Sequence, residues 1–271
     1  MRPTRSAVYI VLLLCLASTA LTAQASDTTS AQKTFFTRRD AVLSGVAIAG
    51  SGVVSIFDER IGRWARSPSI QGDSARHDLF KRLTVINEVP LTIGAVALYG
   101  VGRLTGSDVT AKVGLHATEA LVLTVATSEL IRGPLGRSRP RESPSDAYKF
   151  SFGGGFTDFG KRSYPSLHAA VAFATASVLT GELHERQPGA VPYVAPVLFA
   201  AAMVPGVTRM YLDQHWASDV AAGAFLGTLI GSRVVSYAYS HRPSKIERAL
   251  LAVSVLPDAH GGVMIVKTFG N

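Results

Sequence analysis

Six apolar segments recur along the chain, at 40–57, 84–103, 112–131, 166–181, 191–208 and 217–238, separated by polar stretches that hold most of the charges. Each is too long for a strand, which rarely exceeds about ten residues, so the chain reads as all-α with six helices packed as a bundle. Ala- and Leu-rich content supports helix in 112–131 and 217–238, whereas Gly45, Gly50 and Gly52 weaken it in the first segment. The tail is different. Ala252 to Leu256 and Val263 to Phe269 are β-favouring runs around a Pro-Asp-Ala-His-Gly-Gly turn, which predicts a hairpin over about 252–269. A two-stranded hairpin is marginal alone and has to pack on the bundle or pair elsewhere.

At the N-terminus, Arg2 and Arg5 precede an apolar run from Ala7 to Ala17 and then Ala23-Gln24-Ala25. This is the pattern of a signal peptide over 1–25 with cleavage before Ser26, and the run is far short of the roughly 20 residues that cross hydrocarbon. Cys15, the only cysteine, follows Leu14, where a lipoprotein signal would place a small residue, and it leaves with the signal peptide. The remaining residues, 26–271, read as a single domain without disulfide or thiolate chemistry, which suits an exported, periplasmic protein. Loss of Arg2 and Arg5 from 27 basic residues leaves 25 against 19 acidic ones, a formal charge of +6. A basic balance favours anionic partners. Nucleic acid is not expected, because the basic residues are scattered between apolar segments and form no block interleaved with aromatics. Phosphorylated small molecules and anionic lipid head groups at a membrane surface remain.

Three short patterns carry the chemistry: Arg132, then six residues, then Arg139-Pro140; Pro165-Ser166-Leu167-His168; and Arg209, then His215, then Asp219. Each alone is a weak signal, but the three in order are strong. A phosphoryl group in transfer spreads negative charge over three oxygens, so its catalysis is mainly positioning and fixed positive charge. Arg132, Arg139 and Arg209 supply three guanidinium groups. Pro165 and Ser166 read as the start of helix 166–181, whose free N–H groups favour the same anion, and Ser166 adds a hydroxyl. Of the two histidines, a neutral imidazole can attack phosphorus and a protonated one can protonate the leaving oxygen. Asp219, one turn beyond His215, is placed to hold its other ring nitrogen. None of this requires a metal. His116 with Glu119 reads as packing or a local ion pair, and Glu129 as a group that steadies Arg132.

Over roughly 112–238 these patterns resemble the type 2 phosphatidic acid phosphatase and vanadium haloperoxidase superfamily, whose motifs are K-x6-R-P, P-S-G-H and S-R-x5-H-x3-D. The chain departs from them in having Arg132 for Lys, Leu167 for Gly and Thr208 for Ser. Arginine keeps the charge but makes the phosphate contact a planar fork. Leu167 keeps the backbone N–H that the family aims at phosphate, with a side chain expected to crowd the approach. The resemblance implies that His215 attacks, that His168 is the acid, that Asp219 fixes the His215 tautomer, and that Arg132, Arg139, Ser166, Leu167 and Arg209 bind the phosphoryl group. It implies a phosphomonoester or lipid (pyro)phosphate hydrolase without a cofactor, inhibited by vanadate. Two other readings are a vanadate-dependent haloperoxidase, with vanadate as cofactor, and a non-catalytic envelope protein that retains the motifs.

Between the first two patterns, Arg141 to Tyr164 holds Gly153-Gly154-Gly155 and the aromatics Tyr148, Phe150, Phe152, Phe156 and Phe159. A stretch of this length reads as a substrate-covering flap or a surface loop. Hydropathy leaves the relation to the membrane ambiguous. The 58–83 stretch carries six Lys/Arg residues that would fit a cytoplasmic loop, and 84–103 contains Glu88 and Arg103, which makes it marginal as a membrane helix. The secreted bacterial non-specific acid phosphatases are similar in signal peptide, length and motif order. On that resemblance the expectation is a periplasmic site on a soluble or peripherally bound protein.

Overall fold

A computed structural model describes residues 34–257 and 263–267. The signal peptide expected at 1–25 and the expected hairpin turn at 258–262 lie outside the described residues. The helices are α1 (Arg38–Ser55), α2 (Asp58–Ala65), α3 (Pro68–Gln71), α4 (Ser74–Leu83), α5 (Glu88–Thr105), α6 (Asp108–Leu135), α7 (Leu167–Arg186), α8 (Val191–Tyr211), α9 (Ala217–Ser240) and α10 (Lys245–Ala252). Strands β1 (Val253–Pro257) and β2 (Val263–Lys267) pair antiparallel, with Val253 opposite Lys267 and Pro257 opposite Val263. Ala252, expected to open the first strand, instead closes α10.

The all-α reading agrees with these elements, and α1 and α5 to α9 fall on the six apolar segments. Their ends follow local chemistry. Asn87 and Ser107 accept N–H bonds at the starts of α5 and α6, and Gly106 and Gly136 end the same two helices in the left-handed region, at φ 70° and 59°. What the six-helix expectation lacks is the short helices. Residues 58–83 are not an open loop but fold as α2, α3 and α4 against the end of α8: Arg66 Nη1 donates to Asp213 Oδ1 (2.8 Å), and Phe80 stacks on Tyr211 with ring centroids 4.0 Å apart.

Helix α7 is central, and much of its length is buried. It runs parallel to α9, and Gly223, Gly227 and Gly231 of α9 follow the backbone of α7 from Ser166 to Ala174. A Cβ on Gly227 would stand 1.9 Å from the Ala170 carbonyl oxygen, so only glycine permits this approach. Ala95, Ala117, Leu121, Val171, Val178, Ile230 and Val234 fill the space between α5, α6, α7 and α9. Phe173 and Phe199 join α7 to α8.

The outer faces remain apolar. Val46, Ile48, Ile93, Val101, Val122, Leu130 and Val197 are all exposed, where a helix in water would carry polar residues. Helices α6 and α9 and the stretch Pro188–Tyr211 are each long and apolar enough to cross a membrane, and α1 with α2 and α4 with α5 pass the same test as bent pairs, at 55° and 45°. The protein is therefore suited to membrane association. The helix faces support the membrane-associated part of the expectation, whereas the soluble part rested on length and motif order.

Candidate active site

The three sequence patterns converge at one end of α7. Ser166 caps the helix, its Oγ accepting from Ala169 N at 3.5 Å, and its own backbone N–H donates to the Asp219 carbonyl (2.9 Å). That bond joins the start of α7 to the start of α9. His168 and His215 face one another there, with ring centroids 6.3 Å apart.

His215 is fully buried and its tautomer is fixed. Nδ1 lies 2.8 Å from the Ser163 carbonyl oxygen, and a carbonyl can only accept, so Nδ1 carries the proton. Nε2 is then a bare lone pair, buried and without a hydrogen-bond partner. Burial pushes the imidazole down to about 4, against the opposing influence of Asp219, and Arg139 and Arg132 add to the depression. The ring is neutral through the ordinary pH range.

Asp219 does not fill the place expected of it. Its Oδ2 stands 3.7 Å from His215 Nδ1, beyond hydrogen-bonding reach. The carboxylate is occupied elsewhere: Ser163 Oγ donates to Oδ2 (2.6 Å), Trp216 N donates to Oδ2 (2.8 Å), and Arg137 Nη1 donates to Oδ1 (2.6 Å). Asp219 therefore orients His215 indirectly, by fixing Ser163, whose carbonyl holds the ring. The i, i+4 spacing was a correct guide to proximity. It could not show that a distant serine would come between the two.

Arg137 is a residue the sequence reading passed over. It is buried, and besides Asp219 it donates to Ser218 Oγ (2.7 Å), to Asp58 Oδ2 (2.8 Å) and twice to the Ala147 carbonyl (3.0 and 2.7 Å). It ties α2 to the start of α9. Asp58 completes the link by accepting from Ser218 N at 2.9 Å. The available signal was Arg137's place inside the first pattern, between Arg132 and Arg139.

The remaining cations have few anionic partners. Arg139 Nη1 donates to Gln214 Oε1 (2.5 Å), the guanidinium lies 4.5 Å from the Phe159 ring centre, and its Nε has no partner. Burial, with Arg132, Arg141 and Arg209 nearby, pushes Arg139 down to about 10. It stays charged at neutral pH, crowded by like charges. Arg209 donates to His168 Nε2, so that nitrogen has no proton in this arrangement, and His168 Nδ1 is buried without a partner.

The 141–164 stretch is ordered. It holds short helical turns at Gly154–Phe156 and Phe159–Lys161, and it is laced to the first pattern through Ser138 N to Lys149 O, Ser151 N to Gly136 O and Arg139 N to Gly160 O, each 2.9 Å. Its exposed aromatics, Phe152, Phe156 and Phe159, stand at the same end of the molecule. Among the described residues, no group of three or more His, Cys, Asp or Glu is placed to hold a metal ion.

Residues 114–243 match the family model of the PAP2 superfamily. The match supports the superfamily resemblance carried by the three motifs. A lipid A 1-phosphatase from Porphyromonas gingivalis is 34% identical over 100 residues, a match that covers 32% of this chain and 22% of the relative. The chain thus spans about a fifth of that relative. Among solved structures, a transmembrane PAP2-type phosphatidylglycerolphosphate phosphatase from Bacillus subtilis is similar at 20% identity and a TM-score of 0.49, over 86% of this chain and 98% of that one.

The departures from the PAP2 pattern have structural answers. Arg132 directs three of its five N–H groups inward, Nε and Nη2 to the Arg162 carbonyl (3.0 and 2.8 Å) and Nη1 to Glu129 Oε1 (3.0 Å). Two N–H groups are left for a further acceptor. Glu129 does steady Arg132, and it also pairs with Arg162. Leu167 does not crowd the site, because its side chain is buried in the core with Ala120, Leu121 and Val171. Thr208 is buried, with its hydroxyl unpartnered. His116, read beside Glu119, is instead paired with Glu182 of α7.

Proposed function

We propose that the protein is a PAP2-type phosphatase that hydrolyses the phosphomonoester of a membrane lipid through a phosphohistidine intermediate. The observation that carries this reading is the bare Nε2 of His215, its proton held at Nδ1 by the Ser163 carbonyl, close to His168 and three guanidinium groups. In the first step the Nε2 lone pair attacks phosphorus while the P–O bond to the lipid breaks, its electron pair leaving on the oxygen, which takes a proton from His168. In the second, His168 accepts a proton from water as the water oxygen attacks phosphorus, and the N–P bond pair returns to His215. Arg132, Arg139 and Arg209 meet the charge on the equatorial oxygens, so the charge that a divalent cation brings elsewhere is supplied by the chain.

A lipid substrate is supported by three features: the P. gingivalis relative acts on lipid A, the site lies at one end of apolar helices, and Phe152, Phe156 and Phe159 stand exposed beside it. We place the helices in the bilayer with the site outside the cytoplasm. The six long helices alternate in direction, and the start of α1 lies at the far end from the site, where Asp40 pairs with Arg233 and Phe35 packs on Tyr237. A site outside the cytoplasm puts residues 34–38 on the cytoplasmic side, an orientation that cleavage of a translocated signal peptide before Ser26 does not produce.

The test is phosphate release from phosphatidate and from lipid A 1-phosphate by detergent-purified protein in EDTA. Release that persists in chelator, stops with vanadate and disappears in His215→Ala supports the reading. Activity that EDTA removes and magnesium restores contradicts it.

A further inference from the structure

The first turn of α5 brings to the site a carboxylate that none of the three motifs contains. Asn87 caps the helix, accepting from Val89 N at 3.0 Å, and Glu88 is its first residue. Glu88 Oε2 lies 3.9 Å from His168 Nε2, and this oxygen is buried with no hydrogen-bond partner. The charged and titratable groups around the His168 ring are Arg132 on α6, Arg139 in the following loop, Arg209 on α8, and His215 before α9, with Glu88 on α5. Of these, only Glu88 carries negative charge. An acid with only cationic neighbours would have lost its proton before it could donate one.

We propose that Glu88 is the positioning residue that lets His168 serve as the acid. This rests on the phosphatase reading above. With the site as it stands, Arg209 donates to His168 Nε2. A phosphoryl oxygen that draws the Arg209 guanidinium releases this nitrogen, which can then hold a proton beside the Glu88 carboxylate. The proton passes to the leaving oxygen as the P–O bond breaks, and it returns to His168 Nε2 from the attacking water in the second step. Glu88 itself exchanges no proton; it supplies negative charge and a fixed direction.

The sign of the effect is determined. A carboxylate beside an imidazole favours the protonated form, so removing it lets His168 lose its proton at lower pH. An acid must be protonated to work, hence the alkaline limb of kcat/KM moves to lower pH. The experiment compares wild type, Glu88→Gln and Glu88→Asp in detergent, with an alkyl phosphate lipid and with p-nitrophenyl phosphate, across pH 4–9. Glu88→Gln is expected to move the alkaline limb for the lipid down by about one unit or more and to lower kcat/KM at pH 7.5 by about tenfold to a hundredfold. The aryl phosphate, whose leaving group needs little protonation, should lose less than about threefold. Glu88→Asp should recover part of the shift, and it carries the same test if the glutamine variant does not accumulate. An unchanged limb in Glu88→Gln, or equal losses on both substrates in either variant, overturns the role of Glu88 while leaving the phosphatase reading intact. A wild type that forms no phosphohistidine overturns both.

Discussion

The two ends of α7 each bury a cluster of ionisable groups, but only one of them balances its charges. At the C-terminal end, Glu182 is surrounded by His116, Arg186 and the Tyr239 hydroxyl, which donates to it at 3.0 Å. A carboxylate with this many donors gains little from any further partner. At the N-terminal end, Arg139 has only Gln214 and an aromatic face, and Arg209 has His168, so two guanidinium groups are met by neutral partners. Two of the three local carboxylates are committed elsewhere, Asp219 to Arg137 and Glu129 to Arg132 and Arg162, and the third, Glu88, stands 3.9 Å from His168 with a buried oxygen that has no hydrogen-bond partner. The difference separates a cluster that holds helices together from one that favours the arrival of a dianion.

Opposite substitutions should separate the two roles most clearly. Glu182→Ala should destabilise the fold by about 3–5 kcal/mol, because it strands buried donors, while the protein that does fold keeps kcat/KM within about threefold. Arg139→Ala should lose kcat/KM by about a hundredfold to a thousandfold with little change in thermal midpoint. Thermal unfolding and steady-state kinetics on the same preparations check both, and a kinetic loss in Glu182→Ala larger than that in Arg139→Ala would erase the distinction.

The pH profile sharpens the contrast within the active end. His215 must be neutral to attack, and burial holds it down to about 4. Activity on p-nitrophenyl phosphate should therefore persist as pH falls below 6.5 and fail only near 4, where the nucleophile takes up a proton. An acid limb near 6.5 would mean that the ring is far more solvated than it is in this structure.

The smallest effect is expected where the chain departs from the PAP2 motif pattern. Two of the five Arg132 N–H groups remain for substrate, about what an ammonium would direct there, so Arg132→Lys should change kcat/KM by less than about tenfold. The inward bonds to the Arg162 carbonyl and Glu129 would weaken at the same time. A slight fall in thermal midpoint should accompany that modest kinetic change.

Much of this was legible in the sequence because helices announce themselves by length and motif residues by order. The six apolar segments mark α1 and α5 to α9, and the three patterns do meet at one end of α7. What was not legible depends on chain segments that meet only in the folded state. Nothing local says that Ser163 comes between His215 and Asp219, or that Arg137 bridges to Asp58, 79 positions away. Leu167 looked like an obstacle because its rotation on α7 is set by the core and not by the motif. Glu88 looked only like a charge that disfavours a membrane helix, whereas its position beside His168 depends on how α5 packs.

The central claim, that His215 is the nucleophile, is tested most directly by isolating the phosphoenzyme. Wild type and His168→Ala, mixed briefly with labelled p-nitrophenyl phosphate and quenched in base, should both retain a base-stable, acid-labile label on the peptide containing His215, accumulating more in His168→Ala because its breakdown also needs that residue as a base. His215→Ala should retain none. Label that persists in His215→Ala, or that is found on a serine or aspartate in wild type, would contradict the account.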